Sequence, residues 1–221
     1  MMRQVERPSP NHDARPDDGR VDILLMHYTG MQSCAAAVER LCDPEARVSS
    51  HYTVDEDGTI YAHVPEDRRA WHAGLSHWRG ETNVNARSIG IEIVNPGHEF
   101  GYRAFPEQQI AAVIELSRGI VARHPIPARN VVAHSDVAPR RKSDPGELFP
   151  WARLAAAGLG VWPTAEASDA EAIGPGAMRE HIERLQRDLG AYGYGIETTG
   201  AFDAQTFDTV VAFQRHFRPG R

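Results

Sequence analysis

Two histidines and an aspartate, His27, His134 and Asp144, have the residue types and placing that could hold a metal ion. Imidazole nitrogens and carboxylate oxygens are ordinary zinc ligands. Three protein ligands with an open fourth position describe a catalytic site rather than a structural one, because the open position takes the water to be activated. Spacing alone leaves the plainer reading open: a chain with 11 histidines offers many accidental trios, and these could be surface or packing side chains. Glu92 carries a separate argument. It lies between isoleucines in SIGIEIVN (88–95), and a carboxylate desolvated on a strand is disfavoured unless paired or functional. Burial raises its pKa toward the range of a general base; a structural ion pair with a neighbour such as Arg87 is the alternative. Lys142, two residues before Asp144, could donate to a developing oxyanion or could be a solvated loop lysine.

The elements that must position these residues can be read from periodicity. Residues 21–27, VDILLMH, form a continuous apolar run of strand length that ends on His27, the pattern of a buried strand with a polar residue at its exit. SCAAAVERL reads as a helix with Ser33 as N-cap. Residues 51–64, HYTVDEDGTIYAHV, hold two alternating stretches around Asp57-Gly58, a hairpin signal. In SIGIEIVN, Ile89, Ile91 and Ile93 share one face and Gly90, Glu92 and Val94 the other, which holds Glu92 mid-strand. From Pro106 to Arg123, Ile110, Val113, Ile114 and Ile120 fall at helical spacing, with proline at a permitted first-turn position. This long helix is expected to cover the sheet. A short strand in NVVAHSD then delivers His134 to an edge, as the first strand delivers His27.

After Trp151 the sequence loosens into GLGVWPTAEASDAEAIGPG, rich in Gly, Ala and Pro as a linker should be. The expected division is a catalytic domain over 1–160, a linker over 161–176 and a small helical domain over 177–221. That last segment holds two amphipathic patterns, MREHIERLQRDLG and AQTFDTVVAFQRHF, with Asp203 as an N-cap. A piece so short folds alone only marginally, so a compact helical bundle is expected.

The 221 residues are 41% hydrophobic, enough for a sizeable core in one or two domains. A formal charge of -6 argues against a sequence-independent grip on nucleic acid. No apolar run reaches bilayer-spanning length. The first 20 residues hold no apolar stretch of the secretory kind, so the expectation is a cytoplasmic protein as encoded, or an envelope protein if a signal has been removed. Cys34 and Cys42 fall eight residues apart on one predicted helix. That is a rise of about 12 Å, beyond the ~7 Å reach of a disulfide, so both are expected free.

Taken together, HYTG (27–30), SSHYTVDEDGTIYAHVPEDRRAWHAG (49–74), SIGIEIVNPG (88–97) and VVAHSDVAPRRKSDPGELFPW (131–151) closely resemble the bacterial zinc N-acetylmuramoyl-L-alanine amidases of the AmpD and AmiD type. That family shares its fold with phage amidase lysozymes and animal peptidoglycan-recognition proteins. The resemblance covers about residues 10 to 160 and implies an α/β fold, a central mixed sheet flanked by helices. It implies Zn²⁺ ligated by His27, His134 and Asp144, with Glu92 near the activated water and Lys142 stabilising the tetrahedral intermediate. Tyr52, Trp71, His72 and Asn95 match family positions around the groove that holds sugar and peptide, although Trp71 could simply pack beneath it and His72 could only hydrogen-bond backbone. LQRDLGAYGYG, TGAFDAQT and VVAFQRHF resemble a three-helix peptidoglycan-binding domain, with Leu185, Leu189, Phe202, Val210 and Phe213 as core. The implied activity is hydrolysis of the amide between the lactyl group of N-acetylmuramic acid and L-alanine of the stem peptide, in peptidoglycan turnover or recycling. The implied partners are peptidoglycan or anhydro-muropeptides. A recognition protein that binds muropeptides without cutting them is the alternative, and the intact ligand trio speaks against it.

Overall fold

A computed structural model describes residues 3–16, 19–163 and 173–220, so residues 164–172 of the expected linker lie outside the described residues. In chain order the strands are β1 (Gln4–Glu6), β2 (His12–Ala14), β3 (Ile23–Tyr28), β4 (Tyr52–Val54), β5 (Ile60–Ala62), β6 (Arg68–Ala70), β7 (Ser88–Ile93) and β8 (Val131–Ala133). The helices are α1 (Cys34–Cys42), α2 (Val84–Arg87), α3 (Gly97–Phe100), α4 (Glu107–Arg123), α5 (His134–Val137), α6 (Trp151–Ala156), α7 (Arg179–Tyr192) and α8 (Ala204–Phe217). Six strands form a mixed sheet in the order β1-β5-β4-β7-β3-β8, and β2 pairs with β6 in a small antiparallel ribbon.

β3 is flanked by parallel partners β7 and β8 and is buried on both faces, which is why its sequence is an unbroken apolar run rather than an alternating one. Its alternation still sorts side chains. Leu24 and Met26 join Ile89, Ile91 and Ile93 of β7 in the core beneath α4, where they meet Ile110, Val113 and Ile120. Ile23 and Leu25 point the other way, into a second core with Ala73, Trp78, Val132 and Val137. Gln109 fixes α4 to the sheet, its buried side-chain amide donating to the carbonyls of Val54 (3.1 Å) and Val94 (2.9 Å) at the ends of β4 and β7. The 51–64 hairpin forms as β4 against β5, and its turn is closed by Asp57 Oδ1 accepting from the Thr59 amide at 2.8 Å. Ser33 caps α1 through the Ala36 amide, and Cys34 and Cys42 are free thiols.

The described C-terminal residues hold two helices, α7 and α8, and do not stand apart from the sheet. Leu189, Tyr194 and Ala212 belong to the same core as Ile23, Leu25 and Val132. Within this segment the buried Gln186 side-chain nitrogen shares its two N–H protons among Thr199 Oγ1, the Ala201 carbonyl and Thr206 Oγ1, 2.8–3.0 Å away, and its oxygen accepts from the Gly200 amide. One glutamine thus serves polar groups of residues 199–206, while Gln205 serves Gly195 and Glu197 and Asp203 caps α8 through Thr206. Among the described residues no helix is long and apolar enough to cross a membrane.

Candidate metal centre

His27 leaves the C-terminal half of β3 on the face away from α4, following Ile23 and Leu25. The parallel register sets it directly beside Glu92 of β7, whose other neighbour is Thr53 of β4. β8 pairs beside β3 and ends at Ala133, so His134 opens α5 at the same edge of the sheet. The loop after α5 returns Asp144, whose backbone carbonyl accepts from the Ser135 amide at 3.0 Å. Topology therefore brings together residues separated by more than a hundred positions.

Three ligand atoms converge. His27 Nδ1 lies 2.9 Å from His134 Nδ1 and 3.1 Å from Asp144 Oδ2, and His134 Nδ1 lies 3.0 Å from the same oxygen. A tetrahedral ion with bonds of about 2.0–2.2 Å separates neighbouring ligand atoms by about 3.3–3.6 Å, so this triangle needs to widen by only a few tenths of an ångström to hold one. The donor chemistry fits as well: electron-rich atoms at these separations suit a shared cation. All three residues are buried. Burial would raise the Asp144 carboxyl, but the two imidazoles beside it, His134 foremost, outweigh it and hold it well below the usual carboxylate range. Burial, and then His134, pushes His27 down to about 4, so its ring is neutral near pH 7, as ligation requires.

Glu92 lines a cleft of about 550 Å³ together with His27, His134, Asp144 and Lys142. Its Oε2 is buried and has no hydrogen-bond partner among the described residues. Burial, then the nearby Asp144 charge, raises its pKa well above the ordinary glutamate value, with Lys142 partly offsetting them. The alternative of an ion pair with Arg87 does not form: Arg87 pairs with Asp22 and lies 3.5 Å from Glu81. A larger cleft of about 790 Å³ beside α1 is lined by Cys34, Cys42, Asp55 and Tyr61 and is separate from the ligand cluster.

The groove residues expected from sequence divide. Trp71 and His72 line the cleft. Tyr52 does not. In β4 it is paired with Ile91, on the α4 face, while Thr53 shares Glu92's register; the Tyr52 hydroxyl donates to Glu66 Oε1 at 2.8 Å and its ring packs on the core. Asn95 is also outside the cleft. It is buried, donating to the Arg103 carbonyl at 2.7 Å and accepting from the Gly97 amide at 3.1 Å, which makes it the organiser of the turn after β7. Sequence reading missed Asp136, whose Oδ2 accepts from the Ala133 amide (2.8 Å) and His216 Nδ1 (2.6 Å) and whose Oδ1 accepts from the Tyr194 hydroxyl (2.6 Å). Its position two residues after His134 was the available signal.

Residues 17–147 match the profile of the N-acetylmuramoyl-L-alanine amidase family. The chain belongs to that family. Residues 179–220 match that of a putative peptidoglycan binding domain. Among relatives of this amidase, the N-acetylmuramoyl-L-alanine amidase AmiD of Escherichia coli (strain K12) is 39% identical over 217 residues, covering 90% of this chain and 76% of that protein. The 1,6-anhydro-N-acetylmuramyl-L-alanine amidase AmpD of Citrobacter freundii is 37% identical over 166 residues, covering 67% of this chain and 87% of its own. The solved complex of E. coli AmiD with anhydro-N-acetylmuramic acid-L-Ala-D-gamma-Glu-L-Lys superimposes with a TM-score of 0.77 at 37% identity, covering 95% of this chain and 85% of that one. The AmpDh3 structure from Pseudomonas aeruginosa gives 0.76 at 34% identity, covering 93% and 86%. The likeness to AmiD and AmpDh3 extends through both matched regions, whereas AmpD covers about two thirds of the chain.

Proposed function

We propose that this amidase is zinc-dependent and hydrolyses the bond between the lactyl carbonyl of N-acetylmuramic acid and L-alanine of the stem peptide, with muropeptides, anhydro forms included, as substrates. One observation carries the reading: His27 Nδ1, His134 Nδ1 and Asp144 Oδ2 meet within 3.1 Å of one another in the cleft that Glu92 also lines, its Oε2 having no hydrogen-bond partner among the described residues. The relatives' names and the ligand bound in the AmiD complex support the substrate class.

His27, His134 and Asp144 would hold the zinc. When bound, zinc lowers the pKa of water in its open position toward about 7 and polarises a carbonyl oxygen. Glu92 takes a proton from the attacking water as the oxygen adds to the lactyl carbonyl carbon. Burial makes that carboxylate a stronger base than an exposed glutamate. The same carboxyl then returns the proton to the alanine nitrogen as the C–N bond breaks, leaving a lactyl carboxylic acid and an amine, between which the remaining proton passes to give carboxylate and ammonium. Lys142, on the cleft wall, offers its ammonium to the charge that develops on the carbonyl oxygen. Trp71, which also lines the cleft, would give the substrate an apolar surface. The amidase unit is read as residues 1–160 and the helical unit as 177–221, joined by 161–176.

The test is Glu92→Gln, which keeps shape and removes the base. Zinc binding should persist while kcat falls by roughly 10²–10⁴-fold, the usual contribution of a positioned general base. Cleavage at the parental rate by zinc-loaded Glu92→Gln would sink this role.

A further inference from the structure

The nitrogen of each ligand histidine that faces away from the cluster is engaged by the same two-residue segment. His134 Nε2 donates to the Ala73 carbonyl at 3.0 Å, and His27 Nε2 lies 3.1 Å from Nδ1 of His72. The segment is pinned from outside, since the amides of His72 (3.1 Å) and Ala73 (2.8 Å) both donate to Asn85 Oδ1. We propose that His72 is a positioning residue for the metal centre: with the Ala73 carbonyl, it fixes the ring orientation and tautomer of both histidine ligands rather than serving as a substrate contact. This rests on the zinc reading above.

Proton counting along the chain of contacts gives the direction. The buried Ser88 hydroxyl has one proton, which it donates to the Val84 carbonyl at 2.7 Å. Toward His72 Nε2, at 3.3 Å, Ser88 Oγ can therefore only accept. Neutral His72 then carries its proton on Nε2 and a lone pair on Nδ1. That lone pair must accept from His27 Nε2–H, which leaves the His27 Nδ1 lone pair aimed at His134 Nδ1 and Asp144 Oδ2. The Ala73 carbonyl, an obligate acceptor, fixes His134 in the same sense. Ligand histidines generally need such an outer partner to present the correct nitrogen. The sequence also shows room being made for the ring: a Cβ on Gly90 of β7 would lie 2.6 Å from Cγ and Nδ1 of His72. Gly90 has no positive φ to explain it, so the space for His72 is the reason visible in the structure.

The experiment is zinc affinity by competition with a chromogenic chelator, with steady-state kinetics on a defined muropeptide, for the intact protein and two variants. His72→Leu removes the acceptor and should weaken zinc binding about 10–100-fold. His72→Asn, whose amide oxygen can stand where Nδ1 stands, should hold affinity within a few-fold of parental. Parental zinc affinity in His72→Leu, with only KM raised, would overturn the proposal in favour of a substrate contact. Should His72→Leu fail to fold, histidine ¹⁵N spectra of the unmutated protein decide: Nε2–H on His27, His72 and His134 is expected, and Nδ1–H on His72 refutes it. If the unmutated protein binds no zinc, the zinc reading fails instead, and the spectra still decide whether His72 accepts from His27.

Discussion

Tyr194→Phe tests whether the C-terminal helices and the sheet are one folded unit. The phenol donates to Asp136 Oδ1 at 2.6 Å, and both residues are almost fully inaccessible, at 2% and 0% exposure. The substitution leaves the ring to pack edge-on against Trp78, at a centroid separation of 5.4 Å, so little apolar burial is lost. What goes is one hydrogen bond to a buried charge, worth about 1.5–3 kcal/mol. Asp136 keeps the Ala133 amide and His216 as partners, which argues for that range rather than the larger loss of a stranded ion. For a chain of this size each kcal/mol moves Tm by roughly 2–4 °C, so a fall of about 3–12 °C is expected. Urea unfolding followed by tryptophan fluorescence and far-ultraviolet circular dichroism should show one shifted transition by both probes, because Leu189, Tyr194 and Ala212 share a core with β3 and β8. Parental stability in Tyr194→Phe would refute the reasoning.

Gly90→Ala should hurt the site more than the fold: the new methyl drives into His72, the clash is expected to cost about 1–3 kcal/mol, and zinc affinity measured against a chelator should fall along with kcat/KM. An unaltered affinity would show that the ring simply moves aside. The metal-free protein should also lose stability in acid. Burial, then the Arg15 charge, pushes His51 down to about 3, below its unfolded value of 6.5, so its contribution is present above about pH 6.5 and lost as pH falls toward 3. Burial would raise Glu66, but Arg123, Tyr52 and His124 outweigh it and hold it at about 2 against 4.5 unfolded, so its contribution is lost below about pH 4.5. Between pH 6 and 4.5, the His51 contribution has a slope of about 1.0–1.4 kcal/mol per pH unit; a flat urea midpoint from pH 7 to 5 would contradict it.

Local features were the legible part of the sequence. The apolar run into His27, the Ser33 cap, the Asp57-Gly58 hairpin and the α4 stripe each depend on neighbours within a few residues, and each forms where expected. The grouping of His27, His134 and Asp144 was legible through motif resemblance and not through spacing, since His27 and Asp144 lie 117 positions apart and the parallel β7-β3-β8 order joins them. Tyr52 illustrates the limit. Alternation within β4 could be read, but which of its two faces meets Glu92 depends on the register with β7, and that places Thr53 there instead. Asn95 is hidden in the same way by a turn whose hydrogen bonds reach Arg103. The docking of α8 through Asp136 and His216 spans 80 residues and crosses a segment that reads as a loose linker, so no local pattern announces it.

The most direct measurement is mass spectrometry of the products formed from a defined anhydro-muropeptide by protein as purified, after chelator, and after zinc is restored. A free L-alanyl stem peptide that disappears with chelator and returns with zinc is the expected result. Peptide release unchanged by complete metal removal, or no release by zinc-loaded protein that still retains the muropeptide, would contradict a zinc amidase built on His27, His134 and Asp144.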